Sequence, residues 1–483
     1  MNRSRSSSFA LAALAALALQ ACQDQRELTE PARRGVLSAR VMPADPAGRH
    51  LVVFTAERVP ADFGARVSNV GGAVEASLDR IGVAAVTGLS EAAAVELAGS
   101  ADVRAVEPDV ATAPPNEDVG ADGATADEAV SEPLAPADAT ASPTAAQFYA
   151  RQWNLRAVSA PEGWAAGHLG SRDVVVAILD TGIDYANPDL AGLVDLARSI
   201  SLVPEDVTTH YPGRLPFSDL FWHGTAVASV VASNASVLAG VNRYVTLLAV
   251  KIADSTGLRT TASRLLSGIV YATDQGADVI NVSNGIEFDK SAHPGMVAAF
   301  ERAVNYAFRK GALLVSVPFN DSADLDHNGD LVRLPCEAAN AICAAATGPT
   351  GAAGVNGPWV NVDAAAPYSA FGRSAVSVAA PGGAGEVGQF RRMWVLCTTT
   401  PTQTTGAPAC RARQAIAQPV GTSFAAPHVA GLAALLVAKL GHGNPALIRA
   451  RILQSADDLG DPGVDPYYGK GRINIARALE LIN

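Results

Sequence analysis

The stretch GTSFAAPHVAG spans residues 421–431 and places Ser423 between a Gly-Thr turn and a run of small residues. The run continues as LAALLVAKL, an apolar pattern that predicts a helix beginning near Ser423. Pro427 falls early enough to be tolerated near the start of that helix. The Ser423 hydroxyl would therefore lie at a helix N-terminus, where backbone N–H groups and the helix dipole favour negative charge. A serine that attacks a carbonyl needs this placement, because the attack creates an oxyanion.

Two upstream segments offer an acid and a base for such a serine. VVVAILDTGID (174–184) runs six apolar residues into Asp180, which predicts a strand buried on both faces of a parallel sheet. Asp180 would then lie at the carboxyl edge of the sheet, where open α/β sheets form their sites. HGTAVASVVAS (223–233) places His223 before a helical pattern of small residues. In this interpretation Ser423 attacks, His223 takes and returns the proton, and Asp180 orients the imidazole.

With these three motifs in the order Asp, His, Ser, the chain resembles the subtilisin-like (subtilase) serine peptidase family from about Gln147 to Asn483. The resemblance implies a three-layer α/β/α catalytic domain with a mostly parallel sheet over residues 147–483. ADVINVSNG (277–285) and GALLVSVPFND (311–321) look like two further strands of the family. Asn320 is the oxyanion-hole asparagine that the resemblance implies. The residues implied to line the substrate cleft are Ser283, Asn284, Gly285 and Phe319.

The chain departs from the family pattern at two points beside this cleft. Pro318 and Phe319 stand where the family usually has Ala-Gly, in the wall of the pocket for the side chain that precedes the cut. A phenylalanine there would narrow the pocket or tilt Asn320, unless the change is tolerated loop variation. Asn284 replaces a common leucine and would make that part of the cleft more polar.

Composition and charge limit the possible partners. The chain has 483 residues, is 49% hydrophobic and carries a formal net charge of −11, which argues against a nucleic-acid partner. Residues 111–146 are rich in Ala, Pro, Thr and Asp, and no basic residue lies between Arg104 and Arg151. This acidic segment without hydrophobic periodicity predicts a disordered linker.

The N-terminus predicts export. Arg3 and Arg5 precede FALAALAALAL, an apolar run too short to span a bilayer. The run ends in LQAC, which resembles the lipobox of bacterial lipoproteins, so residues 1–21 would be a signal peptide and Cys22 would carry the lipid. Residues 22–49 would form a tether. Ordinary secretory cleavage near the same point is the alternative.

Residues 50–110 predict a small separate domain. Their strand and helix patterns follow the order β-α-β-β-α-β, a ferredoxin-like split unit. Its position and its VEPD ending resemble the inhibitory propeptide of subtilases, which implies an intramolecular inhibitor and folding template. Cleavage between about Val110 and Gln147 would then activate the protease and detach it from a lipid on Cys22.

The remaining cysteines predict disulfides. Cys336, Cys343, Cys397 and Cys410 form an even set in an exported chain. Pairing within the two short loops, Cys336 with Cys343 and Cys397 with Cys410, is expected. Four free buried thiols are the alternative, and no pair has zinc-ligand spacing.

One acidic motif predicts a calcium site or, equally, a polar turn. DLDHNGD places Asp324, Asp326, Asn328 and Asp330 in alternation, like the first half of an EF-hand loop. The glutamate expected at the twelfth position is absent, since Pro335 stands there. Asp189 could serve a cation or cap a turn, and His428 is interpreted as a packing or hydrogen-bonding residue.

The sequence thus predicts a monomeric, exported serine endopeptidase that hydrolyses proteins or peptides through an acyl-enzyme. It requires no organic cofactor, and calcium would be a structural ion. Contact with a membrane would come only through Cys22, at the cell envelope as precursor and with release after processing. The alternative is a catalytically silent binding protein with the same fold, tethered to the membrane. A nucleotide-dependent enzyme is disfavoured because no Gly-rich phosphate loop follows a strand.

Overall fold

The computed structural model of the chain describes residues 48–112, 142–255, 259–385, 389–398 and 416–482. The strands are, in chain order, β1 (His50–Phe54), β2 (Ala73–Leu78), β3 (Val83–Thr87), β4 (Val103–Pro108), β5 (Ala111–Thr112), β6 (Gly170–Asp180), β7 (Ile200–Ser201), β8 (Tyr244–Lys251), β9 (Thr260–Thr261), β10 (Val279–Val282), β11 (Ile286–Asp289), β12 (Leu313–Ser316), β13 (Leu331–Leu334), β14 (Ile342–Thr347), β15 (Gly351–Ala352), β16 (Trp359–Val360), β17 (Val378–Pro381), β18 (Val395–Leu396) and β19 (Ile416–Ala417).

Helices connect these strands. In chain order they are α1 (Phe63–Asn69), α2 (Glu91–Ala98), α3 (Trp153–Ala157), α4 (Ala160–Ala165), α5 (Pro204–His210), α6 (His223–Val231), α7 (Ala262–Asp274), α8 (Pro294–Arg309), α9 (Thr422–Leu440), α10 (Pro445–Gln454) and α11 (Ile475–Ala478). Short 3₁₀ turns occupy Pro143–Ala145 and Tyr149–Arg151.

A seven-stranded parallel sheet forms the centre of the molecule, in the order β17-β14-β12-β10-β6-β8-β7. Consecutive residues of β6 point to opposite faces, and both faces are buried. Val174, Val176 and Ile178 pack with α6 and α9, whereas Val175, Ala177 and Leu179 pack with α7 and α8. The predicted three-layer α/β/α architecture is confirmed.

Helix α9 is apolar because it is a core helix. Within the described ranges it alone has the length and composition of a membrane span, yet 83% of its most apolar window is buried inside the protein. It packs against α6 and the sheet, and sixteen consecutive residues from Thr422 to Val437 are buried.

The N-terminal unit is a four-stranded antiparallel sheet in the order β2-β3-β1-β4, with α1 and α2 on one face. Ser90 caps α2 by accepting a hydrogen bond from the Ala93 N–H at 3.2 Å. The element order is the one that the sequence pattern predicts. The other face of this sheet, including Leu51, Val53 and Val83, packs on the core formed with α7 and α8.

Candidate active site

Asp180 is the last residue of β6 and therefore lies at the carboxyl edge of the parallel sheet. Its side chain is only 1% exposed. The Oδ1 atom accepts hydrogen bonds from the Thr181 N–H at 2.7 Å and the Thr181 hydroxyl at 3.3 Å. These donors hold the carboxylate in one orientation, aimed at the neighbouring helix α6.

His223 opens α6, and a buried aspartate fixes that helix end. Asp219 accepts hydrogen bonds from the Trp222 and Thr225 N–H groups at 3.0 and 2.9 Å, and from the Thr225 hydroxyl at 2.6 Å. Burial raises the pKa of the Asp219 carboxyl. Asp219 was not among the predicted site residues, because it lies four residues before His223 and outside the N-cap position that marks a helix start in sequence.

Helix α6 approaches β6 closely because its second residue is a glycine. A Cβ atom on Gly224 would lie 2.1 Å from the Gly182 carbonyl oxygen and 3.1 Å from the Asp180 Cβ. Only glycine permits this approach, which brings His223 against Asp180.

The imidazole of His223 and the carboxylate of Asp180 form a buried pair. His223 Nδ1 lies 2.7 Å from Asp180 Oδ1, and each side chain is 1% exposed. The carboxylate fixes the proton on Nδ1, so Nε2 is the ring nitrogen that can act as a base. The imidazole also lies between aromatic rings, with centroids 5.6 Å from Trp222 and 5.8 Å from Phe424.

Ser423 is the second residue of α9, as the sequence predicts, and Phe424 follows it beside the His223 ring. The Ser423 hydroxyl donates to the Ser283 carbonyl oxygen at 3.1 Å, and the Ser283 hydroxyl donates to the Ser423 carbonyl oxygen at 2.8 Å. This reciprocal pair ties the first turn of α9 to the carboxyl end of β10. The three predicted site residues therefore lie on adjoining elements at one edge of the sheet.

Asn320 lies beside the same helix end. Its Oδ1 atom accepts hydrogen bonds from both the N–H and the hydroxyl of Thr422, each at 2.9 Å. With the oxygen turned toward Thr422, the amide Nδ2 is the part of the side chain that can donate to a nearby anion. The role of Thr422 was not part of the sequence prediction, and its place in the Gly-Thr-Ser turn is the signal.

The segments predicted to line the cleft are buried around Ser423. Asn284 is 4% exposed and its Oδ1 atom accepts from the Gly285 N–H at 2.6 Å, so its amide oxygen is engaged by the backbone. Phe319 is also 4% exposed and adopts a backbone φ of +82°, in the region that favours glycine. A Cβ atom on Gly285 would lie 2.9 Å from the Phe319 ring.

A buried arginine behind Phe319 was not predicted. The Arg333 side chain is 3% exposed and its guanidinium carbon lies 4.9 Å from the centre of the Phe319 ring. Its nitrogens pair with Glu287 at 2.9 Å and with Asp321 at 2.5 Å, and one donates to the Pro318 carbonyl at 2.6 Å. No local pattern in the sequence indicates these contacts. Arg333 lies on β13, whereas Glu287 lies on β11 and Asp321 on the loop after β12.

The predicted calcium loop does not have the expected donor arrangement. Asp326 uses both carboxylate oxygens to accept hydrogen bonds from the Arg373 N–H and from Ser374, at 2.7–2.9 Å. Asp324 accepts from the Asp326 N–H at 3.0 Å and contacts His327 Nδ1 at 2.8 Å. Within the described ranges no group of three or more His, Cys, Asp or Glu could hold a metal ion. Of the two interpretations that the sequence left open, these hydrogen bonds favour the polar turn, and calcium at Asp324, Asp326, Asn328 and Asp330 stays a prediction.

Asp189 anchors a loop. Its fully buried carboxylate accepts from the N–H groups of Ser236, Val237 and Leu238 at 2.7, 2.9 and 2.9 Å. Burial raises the pKa of this carboxyl, while the backbone donors oppose the shift. Of the two interpretations that the sequence left open, the geometry favours the turn cap.

His428 is a packing residue, as interpreted from the sequence. It is fully buried on α9, with Nδ1 2.7 Å from the Phe424 carbonyl oxygen and Nε2 2.9 Å from Asn154 Nδ2. Burial lowers the pKa of His428 to about 4, so the ring is neutral near pH 7.

One predicted disulfide is formed and the other is described in part. Cys336 and Cys343 are bonded, with their Cα atoms 4.8 Å apart, and the bond joins the segment after β13 to β14. Cys397 is also disulfide-bonded, whereas its expected partner Cys410 lies outside the described residues. Cys22, the predicted lipid site, lies outside them as well.

Known proteins share this arrangement of elements. The Subtilase family model (Peptidase_S8) matches residues 171–471. Thermitase from Thermoactinomyces vulgaris is 32% identical over 338 residues, which are 69% of this chain and 97% of thermitase. A subtilisin from Bacillus pumilus is 30% identical over 330 residues, which are 68% of this chain and 98% of the subtilisin.

A solved structure of similar fold covers more of the chain than these relatives do. The epidermin leader peptide processing serine protease from Staphylococcus aureus superposes with a TM-score of 0.66 at 21% identity. The superposition covers 90% of this chain and 98% of that protein.

Proposed function

Because the chain belongs to the subtilase family and is a serine-type endopeptidase, we propose that Asp180, His223 and Ser423 carry the hydrolysis of peptide bonds. The observation that carries this assignment is the buried 2.7 Å contact between Asp180 and His223, with Ser423 on the adjoining helix end. The reaction of the family requires no organic cofactor.

The proposed steps conserve every proton. The Ser423 oxygen attacks the scissile carbonyl while His223 Nε2 takes its proton, and Asp180 stabilises the imidazolium that forms. The tetrahedral oxyanion accepts hydrogen bonds from the Ser423 N–H and from Asn320 Nδ2. His223 then gives the proton to the leaving amine, and an acyl ester remains on Ser423. Water attacks this ester by the same route and releases the carboxylic acid.

We propose further that the N-terminal unit, residues 50–110, is an inhibitory propeptide. Two of its carboxylates bind the N-termini of helices in the catalytic domain. Glu107 accepts from the N–H groups of Gly295 and Met296 at 2.6 and 3.0 Å, at the start of α8. Asp109 accepts from the Ser263 N–H at 3.0 Å and its hydroxyl at 2.6 Å, at the start of α7. Such contacts satisfy N–H groups that a helix cannot satisfy itself.

The chain that leaves this unit continues along the catalytic domain as an added strand. β5 pairs antiparallel with β9, with Ala111 opposite Thr261 and Thr112 opposite Thr260. Arg302 of α8 also donates to the carbonyl oxygens of Phe54 at 2.8 Å and Thr55 at 3.1 Å. Backbone pairing and an apolar sheet face would keep the unit bound after the chain is cut, so inhibition would outlast processing.

We propose that the protein is exported and that its precursor processes itself between about Val110 and Gln147. The basic and apolar N-terminus and the LQAC sequence support export with a lipid on Cys22. Cleavage would then separate the protease from the lipid. Cell fractionation with antibodies against each half tests this, and a mature catalytic domain found only in membranes without its propeptide would contradict release.

The first test of the function uses the full-length precursor and a fluorophosphonate probe, with intact masses as the readout. The wild type should lose the mass of residues up to the processing site and, once the N-terminal unit has left, gain one probe adduct. The Ser423→Ala variant should remain unlabelled and full length. A folded wild type that neither reacts nor shortens would favour the silent binding protein, with Phe319 as the first residue to replace.

A further inference from the structure

The recess beside Ser423 lies between the carboxyl ends of two neighbouring strands. β10 and β12 are adjacent and parallel, with Val279 opposite Leu313. β10 continues into Ser283, which bonds Ser423, and β12 continues into Asn320, which bonds Thr422. The space between these two segments adjoins both Ser423 and Asn320, so the side chain of the acylating residue would enter it when the oxyanion faces Asn320.

The ring of Phe319 fills that space. A Cβ atom on Gly285 would lie 2.9 and 3.2 Å from two ring atoms of Phe319, so the ring faces the opposite segment without room for a side chain between them. The residue is 4% exposed although it directly precedes Asn320. A ring that spans the gap from one wall to the other leaves little depth for a second side chain.

The ring is held rigidly in this position. Arg333 contacts it at 4.9 Å and donates to the Pro318 carbonyl at 2.6 Å, so one guanidinium fixes both the ring and the preceding peptide. Glu287 and Asp321 fix the guanidinium in turn. The φ of +82° at Phe319 is unfavourable for a bulky residue and persists because these neighbours determine it.

We propose that Phe319 is a specificity-determining residue that restricts the position before the scissile bond to small residues such as alanine and serine. Arg333 is the residue that positions its ring. The inference rests on the proposed function, since it names the substrate class of the same site. Larger residues at that position would have to displace a ring that the buried ion-pair cluster holds in place.

The test compares two peptide p-nitroanilides that differ only in alanine or phenylalanine before the scissile bond. The wild type, matured from the full-length precursor, should cleave the alanine substrate with at least a tenfold higher kcat/KM, because a buried pocket resolves even one methylene by about 10–200-fold. In Phe319→Gly, which empties the recess and suits the backbone conformation, kcat/KM for the phenylalanine substrate should rise at least tenfold. Phe308→Ala is the control and should leave the ratio of the two kcat/KM values unchanged. Phe308 lies near the C-terminal end of α8, which leads to the amino end of the next strand and not to Ser423.

A second measurement keeps the test decisive if Phe319→Gly folds poorly. Wild-type protein is treated with alanine and phenylalanine diphenyl phosphonates, and the rate of adduct formation on Ser423 is read by mass. Equal rates, or equal kcat/KM values for the two substrates, would overturn the role of Phe319 while leaving the protease intact. No reaction with these reagents or with the simpler fluorophosphonate would overturn both the inference and the proposed function.

Discussion

Thr422 holds the side-chain oxygen of Asn320 with two hydrogen bonds, from its N–H and its hydroxyl, both at 2.9 Å. The residue before the proposed nucleophile thus orients the proposed oxyanion donor. Because both hydrogen bonds go to Oδ1, the Nδ2 group of Asn320 is directed away from Thr422. The Gly-Thr-Ser turn therefore positions both the proposed nucleophile, Ser423, and the proposed oxyanion donor, Asn320.

Replacing Thr422 by valine should slow the chemical step. The variant keeps the N–H bond and loses the hydroxyl bond to Asn320, so we expect kcat to fall about tenfold with KM within about twofold. Asn320→Ala should lower kcat by about 10²–10³-fold, the magnitude known for the corresponding donor in subtilisin. Steady-state kinetics measure both. Thr208→Val removes an exposed hydroxyl that bonds the Pro204 carbonyl and is the matched control; an equal loss there would argue against orientation of Asn320.

The carboxylates of Glu107 and Asp109 should control how fast the N-terminal unit leaves. Each binds a helix N-terminus, and a helix cap contributes about 0.5–2 kcal/mol. In Glu107→Gln and Asp109→Asn we expect the lag before protease activity appears to shorten severalfold, and more in the double variant. Activity traces during maturation measure the lag. Glu96→Gln, on the exposed face of α2, is the control, and a double variant with an unchanged lag would remove these carboxylates from the mechanism of inhibition.

Arg333→Met should destabilise the protein because it leaves the carboxylates of Glu287 and Asp321 without their cationic partner. Removing one partner of a buried ion pair costs about 3–5 kcal/mol, since the remaining charge stays desolvated. We expect the thermal midpoint of a Ser423→Ala background, which cannot digest itself, to drop by several degrees. Adding Glu287→Gln and Asp321→Asn should recover much of the loss. If the triple variant is no more stable than the single one, the ion pairs are not the cause.

The parts of the fold that sequence could predict are those set by local pattern. The apolar run before Asp180 predicted β6, and the small residues after His223 and Ser423 predicted α6 and α9. Each of those segments carries its own period or cap. Exact boundaries are less predictable: α1 begins at Phe63 without a side-chain cap hydrogen bond, so no cap residue marks its start in the sequence.

The parts that the sequence left open depend on contacts between distant segments. DLDHNGD has a calcium-like spacing, yet Asp326 is engaged by Ser374, 48 residues later. The Phe319 substitution was visible in the sequence, but its consequence depends on Arg333 and Glu287, which only the fold brings to the ring. Contacts with residues distant in sequence decide the role of such side chains, and local sequence patterns do not predict those contacts.

His428 should make stability fall as the solution is acidified. Its native pKa of about 4 lies below the unfolded value of about 6.5. Its contribution is therefore complete above pH 6.5 and is lost as the pH falls toward 4, where the unfolded chain binds a proton that the native state excludes. Between pH 6.5 and 5.5 we expect the free energy of unfolding of Ser423→Ala to drop by about 1 kcal/mol more than in Ser423→Ala/His428→Gln.

Denaturant unfolding at several pH values measures this difference. Buried carboxyls with raised pKa values, such as Asp189 and Asp219, act in the opposite direction and are common to both proteins. Their effect therefore cancels in the comparison. Identical pH slopes for the two proteins would mean that His428 is protonated in the native state.

Asp189 holds a loop in place with a side chain that belongs to the same polypeptide. The loop at Ser236–Leu238 is held by a carboxylate built into the polypeptide, through three backbone N–H groups. A loop that is held by a bound solute loses that support when the solute is diluted or removed, because the binding follows mass action. A tethered carboxylate has no such dependence, because its local concentration is set by the backbone. The hold of Asp189 on this loop is therefore independent of the protein concentration.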